Sequence, residues 1–98
     1  MATLHVELDV RDYDMWREAF GRDAAGRQES GVRRYRIFRP VDDDKHVMLD
    51  LDFDSAQEAD TFLTILKTDV WSSGDKAPAK LGTPEARILE MVENHEYA

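Results

Sequence analysis

Hydrophobic and polar positions alternate at the start of the chain. Leu4, Val6, Leu8 and Val10 are interleaved with Thr3, His5, Glu7 and Asp9, and a period of two predicts a strand with two unlike faces. Asp12 stands where a helix N-cap belongs. Tyr13, Trp16, Phe20 and Ala24 then follow at spacings of three and four, the stripe of an amphipathic helix. Gly21 and Gly26 weaken its second half by about 1 kcal/mol each relative to alanine, and Gly31 is a natural stop. Val32–Arg39 reads as the second strand, closed by Pro40 and the polar turn Asp42-Asp43-Asp44. Val47, Leu49, Leu51 and Phe53, alternating with Met48, Asp50 and Asp52, form the third. Strands two and three, joined by a short loop, predict an antiparallel hairpin.

Ser55-Ala56-Gln57-Glu58 is a capping box, followed by the helical period of Ala59, Phe62, Leu63, Leu66 and Val70. From Trp71 to Pro84 the pattern dissolves, and Ser72, Ser73, Gly74, Pro78, Gly82 and Pro84 mark a loop, either a lid or a surface excursion. Ala86–Val92 is the last strand, with a polar tail after it.

The element order β-α-β-β-α-β predicts an α+β, ferredoxin-like domain over residues 1–98, a four-stranded antiparallel sheet in the order 4-1-3-2 with both helices on one face. The other face stays open. Placing Ile37 opposite Val47 and Tyr35 opposite Leu49 turns both pairs toward the helices; Arg34 then meets Asp50 and Arg36 meets Met48 on the open face. A one-residue slip would bury the arginines. The open face is expected to carry His5, Glu7, Arg34, Arg36, Phe38, Met48, Asp50, Leu89 and Met91. That mixture suits a face that meets a partner subunit while enclosing a polar cavity.

At 98 residues, such a chain buries roughly 60–70% of the surface its unfolded form exposes, and packing the sheet on a second subunit would enlarge the core. With 13 Lys+Arg against 21 Asp+Glu, the net charge is -8, which disfavours nucleic acid and anionic lipid. No apolar run approaches the roughly 20 residues of a membrane span, and a cytoplasmic location is expected. The absence of cysteine excludes disulfides, thiolate chemistry and sulfur-based zinc sites. There is no phosphate-binding glycine loop, nucleophile elbow or paired metal histidines.

Asp12-Tyr13-Asp14-Met15-Trp16, Gly31 before a strand ending in Phe38-Arg39, the turn Asp42-Asp43-Asp44, Phe53-Asp54-Ser55 leading to Ala59 and Phe62, and Gly82-Thr83-Pro84 together resemble the dimeric α/β-barrel superfamily. The likeness is to the group similar to antibiotic biosynthesis monooxygenases, and it covers almost the whole chain. It implies a homodimer whose two sheets pack face to face into a barrel lined by the open face. It also implies oxygenases that use no metal or flavin on quinol-like or polyketide substrates, with haem-degrading and non-catalytic members beside them. The haem-degrading pattern requires an asparagine on the first strand and a histidine after the second helix; here His5 and Glu7 occupy the strand, and no histidine falls between His46 and His95.

Within that frame His5 is the candidate catalytic base, able to take a phenolic proton near neutral pH, or else a structural imidazole at the barrel mouth. Glu7, Arg34, Arg36 and Asp50 either bind a substrate anion through the arginine fork or form an ion network that sets dimer register. Trp71 is either a wall for a flat aromatic ligand or a core residue. The expected function is a cofactor-independent monooxygenase or cyclase of a small aromatic molecule, with no metal and no cofactor. The alternative is a non-catalytic ligand-binding or structural homodimer.

Overall fold

The computed structural model describes residues 1–74, 76, 77 and 79–98; Pro78, one of the expected loop markers, lies outside the described residues. The elements are β1 (Ala2–Val10), α1 (Tyr13–Gly21), β2 (Arg34–Phe38), β3 (His46–Phe53), α2 (Ala56–Ile65) and β4 (Lys80–Glu90), with a π-helical turn, Leu66–Val70, continuing α2. The strands form one antiparallel sheet in the order β2-β3-β1-β4. This is the expected order read from the opposite edge, and the fold is ferredoxin-like α+β.

Alternation sorts the two faces. Leu4, Val6, Leu8, Val10, Val47, Leu49, Leu51 and Phe53 are buried under the helices, where they meet Trp16, Ala59, Phe62 and Leu63. Each fully buried side chain of this size contributes about 1.5–3 kcal/mol. Asp12 caps α1 through a hydrogen bond from the Met15 amide at 2.9 Å. Ser55 caps α2, its Oγ accepting from the Glu58 amide at 3.2 Å and donating to the Glu58 carboxylate at 3.1 Å. Among the described residues no helix is long and apolar enough to cross a membrane.

The first helix is shorter than its apolar stripe suggested, ending at Gly21 rather than running on toward Gly31. Three left-handed residues follow, Asp23, Gly26 and Gly31, and they turn the chain back toward the sheet. Arg27 closes the helix end: its guanidinium donates to the Phe20 carbonyl at 2.7 Å and lies 3.9 Å from the Phe20 ring centroid. At Gly31 (φ +98°) the backbone conformation favours glycine, and a Cβ would also stand 2.5 Å from the tip of the Glu58 side chain, which would have to move aside.

Two strands depart from expectation. β2 pairs with β3 so that Ile37 faces Leu49 and Tyr35 faces Leu51, placing Arg34 opposite Asp52 and Arg36 opposite Asp50. The expected pairing was two residues out of register. A slip of two keeps every side chain on its face, so the hydrophobic pattern could not distinguish the registers. β4 starts at Lys80 instead of Ala86 and ends at Glu90 instead of Val92. Its early part was hidden by Gly82 and Pro84, which sit where the ladder with β1 shifts between Glu7 and Asp9. Gly82 has φ +66°, and a bulge on an edge strand is where proline's missing N–H costs least.

Candidate functional site

The open sheet face carries a continuous chain of imidazoles and carboxylates. His5 Nδ1 lies 2.6 Å from Asp50 Oδ1, and His5 Nε2 lies 3.0 Å from Glu7 Oε2. The other oxygen of Glu7 is 3.0 Å from His46 Nε2, and His46 Nδ1 is 2.9 Å from Asp9 Oδ1. Alternation on β1 and cross-strand pairing with β3 create this array: His5 is opposite Asp50 and Asp9 is opposite His46. An ionised carboxylate only accepts, so an imidazole that meets one at each nitrogen donates from both and is held as the cation. The Asp50 hydrogen bond raises the His5 pKa; partial burial opposes it and Glu7 adds to it. His46 is raised by Asp9 and then Glu7, while Glu7 is lowered by His46 and then His5.

Beside this chain stands a second cluster. The Asp52 side chain is only 5% exposed. It accepts from Thr3 Oγ1 at 2.7 Å, from Arg34 at 2.9 Å and from Arg36 at 3.0 Å. Burial by itself would raise its pKa; the hydrogen bonds from Arg36, Thr3 and Arg34 outweigh that and hold it at about 2. Arg36 joins the clusters, lying 3.7 Å from Asp50 as well. Asp52 in turn raises the Arg36 pKa further.

The structure therefore brings together His5, Glu7, Arg34, Arg36 and Asp50, with Phe38, Met48 and Leu89 on the same face. Met91 lies beyond the end of β4. Trp71 is not with them. It packs against the core on the helix side of the sheet, and its amide bonds Leu66 O at 2.7 Å. This i→i−5 bond defines the π turn, and the extra residue moves Trp71 into the place below Leu66 that an uninterrupted α-helix would give Val70. There Trp71 forms one wall of an apolar cavity of about 80 Å³ between helices and sheet, with Trp16, Phe20, Phe62, Leu49 and Leu66; Arg27, Lys76 and Lys80 supply its described charges.

Sequence reading passed over His46, Asp9, Thr3 and Asp52. The parity that put Met48 and Asp50 on the open face also puts His46 and Asp52 there, so that signal was present. The cavity had no comparable signal, because its lining comes from β1, β3, both helices and the segment before β4. Among the described residues no cluster of three His, Asp or Glu has the arrangement of a metal site.

The helix-covered antiparallel sheet is the fold of solved structures described as antibiotic biosynthesis monooxygenases and as dimeric ferredoxin-like proteins. A solved structure of a proposed antibiotic biosynthesis monooxygenase from Deinococcus radiodurans matches with a TM-score of 0.74 at 18% identity, covering 100% of this chain and 99% of that one. SnoaB, a cofactor-independent oxygenase from Streptomyces nogalater, matches with a TM-score of 0.73 at 16% identity over 95% of this chain and 94% of its own. A dimeric ferredoxin-like protein from an uncultured marine organism matches with a TM-score of 0.69 at 8% identity, over 99% and 100%. No protein-family profile and no curated protein matches the sequence.

Proposed function

We propose that this protein is a homodimer that binds a small aromatic molecule, quinol- or polyketide-like, and oxygenates it without metal or organic cofactor. The observation that carries this reading is the cavity walled by Trp16, Phe20, Phe62 and Trp71 with Arg27, Lys76 and Lys80 around it. Flat apolar walls suit a fused ring, and the cations would favour the phenolate over the phenol. Such an anion is itself the reductant. A ring CH₂ loses two hydrogens and gains one oxygen of O₂, and the second oxygen leaves as water. At about 80 Å³ the cavity is smaller than the roughly 150 Å³ that accepts benzene in an engineered protein. Binding would therefore widen it. The SnoaB description as a cofactor-independent oxygenase on the same fold supports the chemistry. Pairing of subunits through the open face is supported by the exposure of Phe38 and Leu89 there and by the dimeric ferredoxin-like neighbours.

In this reading His5 is not the reacting base, because the sheet separates it from the cavity. Both of its nitrogens are also occupied, so to accept a substrate proton it would first have to give one up to Asp50 or Glu7. A substrate held instead in the lumen between two sheets would restore that role, with Arg34 or Arg36 holding the anion. The non-catalytic alternative is favoured by one observation: the cavity's described lining contains no imidazole and no carboxylate.

Oxygen uptake with a panel of anthrones and quinols tests the proposal. Turnover that falls about tenfold in Trp71→Ala, the scale of losing an aromatic wall, and survives in His5→Gln supports the helix-side cavity. The opposite pattern supports the lumen. Binding of the panel without oxygen uptake establishes the non-catalytic reading.

A further inference from the structure

The open face has a charge balance that depends on two protons. By cross-strand register its acids are Glu7, Asp9, Asp50, Asp52 and Glu85. Its fixed bases are Arg34, Arg36 and Arg87, and His5 and His46 complete the set. With both imidazoles protonated the face is neutral; with both neutral it carries an excess of two negative charges. The bonds that hold the imidazoles as cations, 2.6 to 3.0 Å long, lie within the face itself.

We infer that this face is a proton-linked interface between two copies of the chain, closing when His5 and His46 are both charged and loosening when they lose their protons. The inference rests on the homodimer proposed above. A second copy is the fitting occupant because the face is self-complementary. Its acids concentrate on the central strands β1 and β3 and its arginines on the edge strands β2 and β4. In a two-fold contact the arginines of each copy, long and exposed (Arg34 53%, Arg36 43%), can reach the acidic centre of the other. Phe38 and Leu89, 47% and 43% exposed, add apolar area at both flanks.

The surroundings of each imidazole set the sign. His5 faces Glu7 on its own strand, Asp50 on β3, Arg36 of β2 through Asp50, and Arg87 directly opposite on β4. His46 faces Glu7 and Asp9 on β1 and follows Lys45 in the chain. Acid contacts dominate at both. Among the described residues, loss of the protons leaves Glu7 without a cationic partner in its own chain and brings two net negative faces together away from water, where like charges repel most strongly. Protons therefore favour the pair, and raising the pH through the elevated histidine range opposes it.

Sedimentation velocity at constant ionic strength, with far-UV circular dichroism at each pH to confirm folding, tests this. The expected result is a dimer whose Kd rises at least about tenfold between pH 6.5 and 9, the effect of one or more linked protons. The double variant His5→Gln/His46→Gln should show a shallow pH profile and, at pH 6.5, the weak association of the wild type at pH 9. A dimer with the same Kd across this range overturns the proton linkage while leaving the homodimer intact. A monomer at every pH overturns the homodimer and the linkage together. If the double variant does not fold, the wild-type profile decides.

Discussion

Removing the charge of Asp52 should cost about 2–3 kcal/mol of folding stability. This carboxylate is almost fully shielded and accepts from Thr3, Arg34 and Arg36. Asp52→Asn keeps the shape but replaces an acceptor oxygen with a donor NH₂ that confronts guanidinium donors. The pKa, lowered from 3.8 to about 2, corresponds to about 2 kcal/mol at 1.36 kcal/mol per unit. A fully buried pair loses about 3–5 kcal/mol when broken. The lower figure applies because Arg34 and Arg36 are 53% and 43% exposed and can return to water. For a depressed acid the contribution is complete above the unfolded value near 4 and disappears as pH falls toward 2. Urea unfolding at pH 7 should show the midpoint of Asp52→Asn lower by roughly 1–3 M, given a slope of about 1–2 kcal/mol/M. Running it at two protein concentrations separates folding from association. The wild type should also lose stability between pH 4 and 2 more steeply than the variant. A variant within about 0.5 kcal/mol of wild type at pH 7 would refute the reasoning and mean that water, not the arginines, solvates this carboxylate.

Phe62→Ala empties a site that is 2% exposed against Phe53 and should destabilise by about 3–5 kcal/mol in thermal or urea unfolding; a loss below about 1 kcal/mol would show that the helix layer collapses freely. Gly31→Ala forces alanine into the positive-φ backbone at φ +98°, so a destabilisation of about 1–3 kcal/mol is expected, and a neutral result would show that this backbone conformation carries no penalty here. The raised His5 and His46 pKa values make a contribution that is complete below about 6.5 and is lost as pH rises through the elevated values. Urea midpoints should therefore fall from pH 6 to pH 9, and less so in His46→Gln.

The sequence by itself determined the order of elements, the two helix caps and the inward or outward side of the residues in β1, β2 and β3. These are local or strictly periodic properties: Asp12 and Ser55 act on amides three residues away, and a strand of period two has only two possible faces. That was enough to place His5, Glu7, Arg34, Arg36 and Asp50 together on one surface. Tertiary structure alone decided which of them touch. The β2–β3 register differs from the periodic expectation by a parity-conserving two residues, and this gives Arg34 and Arg36 to Asp52 and frees the Asp50 Oδ1 for His5. It also decided the place of Trp71: α2 lies on the helix side of the sheet, so its continuation keeps the indole away from the charged face, and the π turn brings it against the core. Side chains follow from local alternation, but partners follow from where separate strands and turns come to rest against one another.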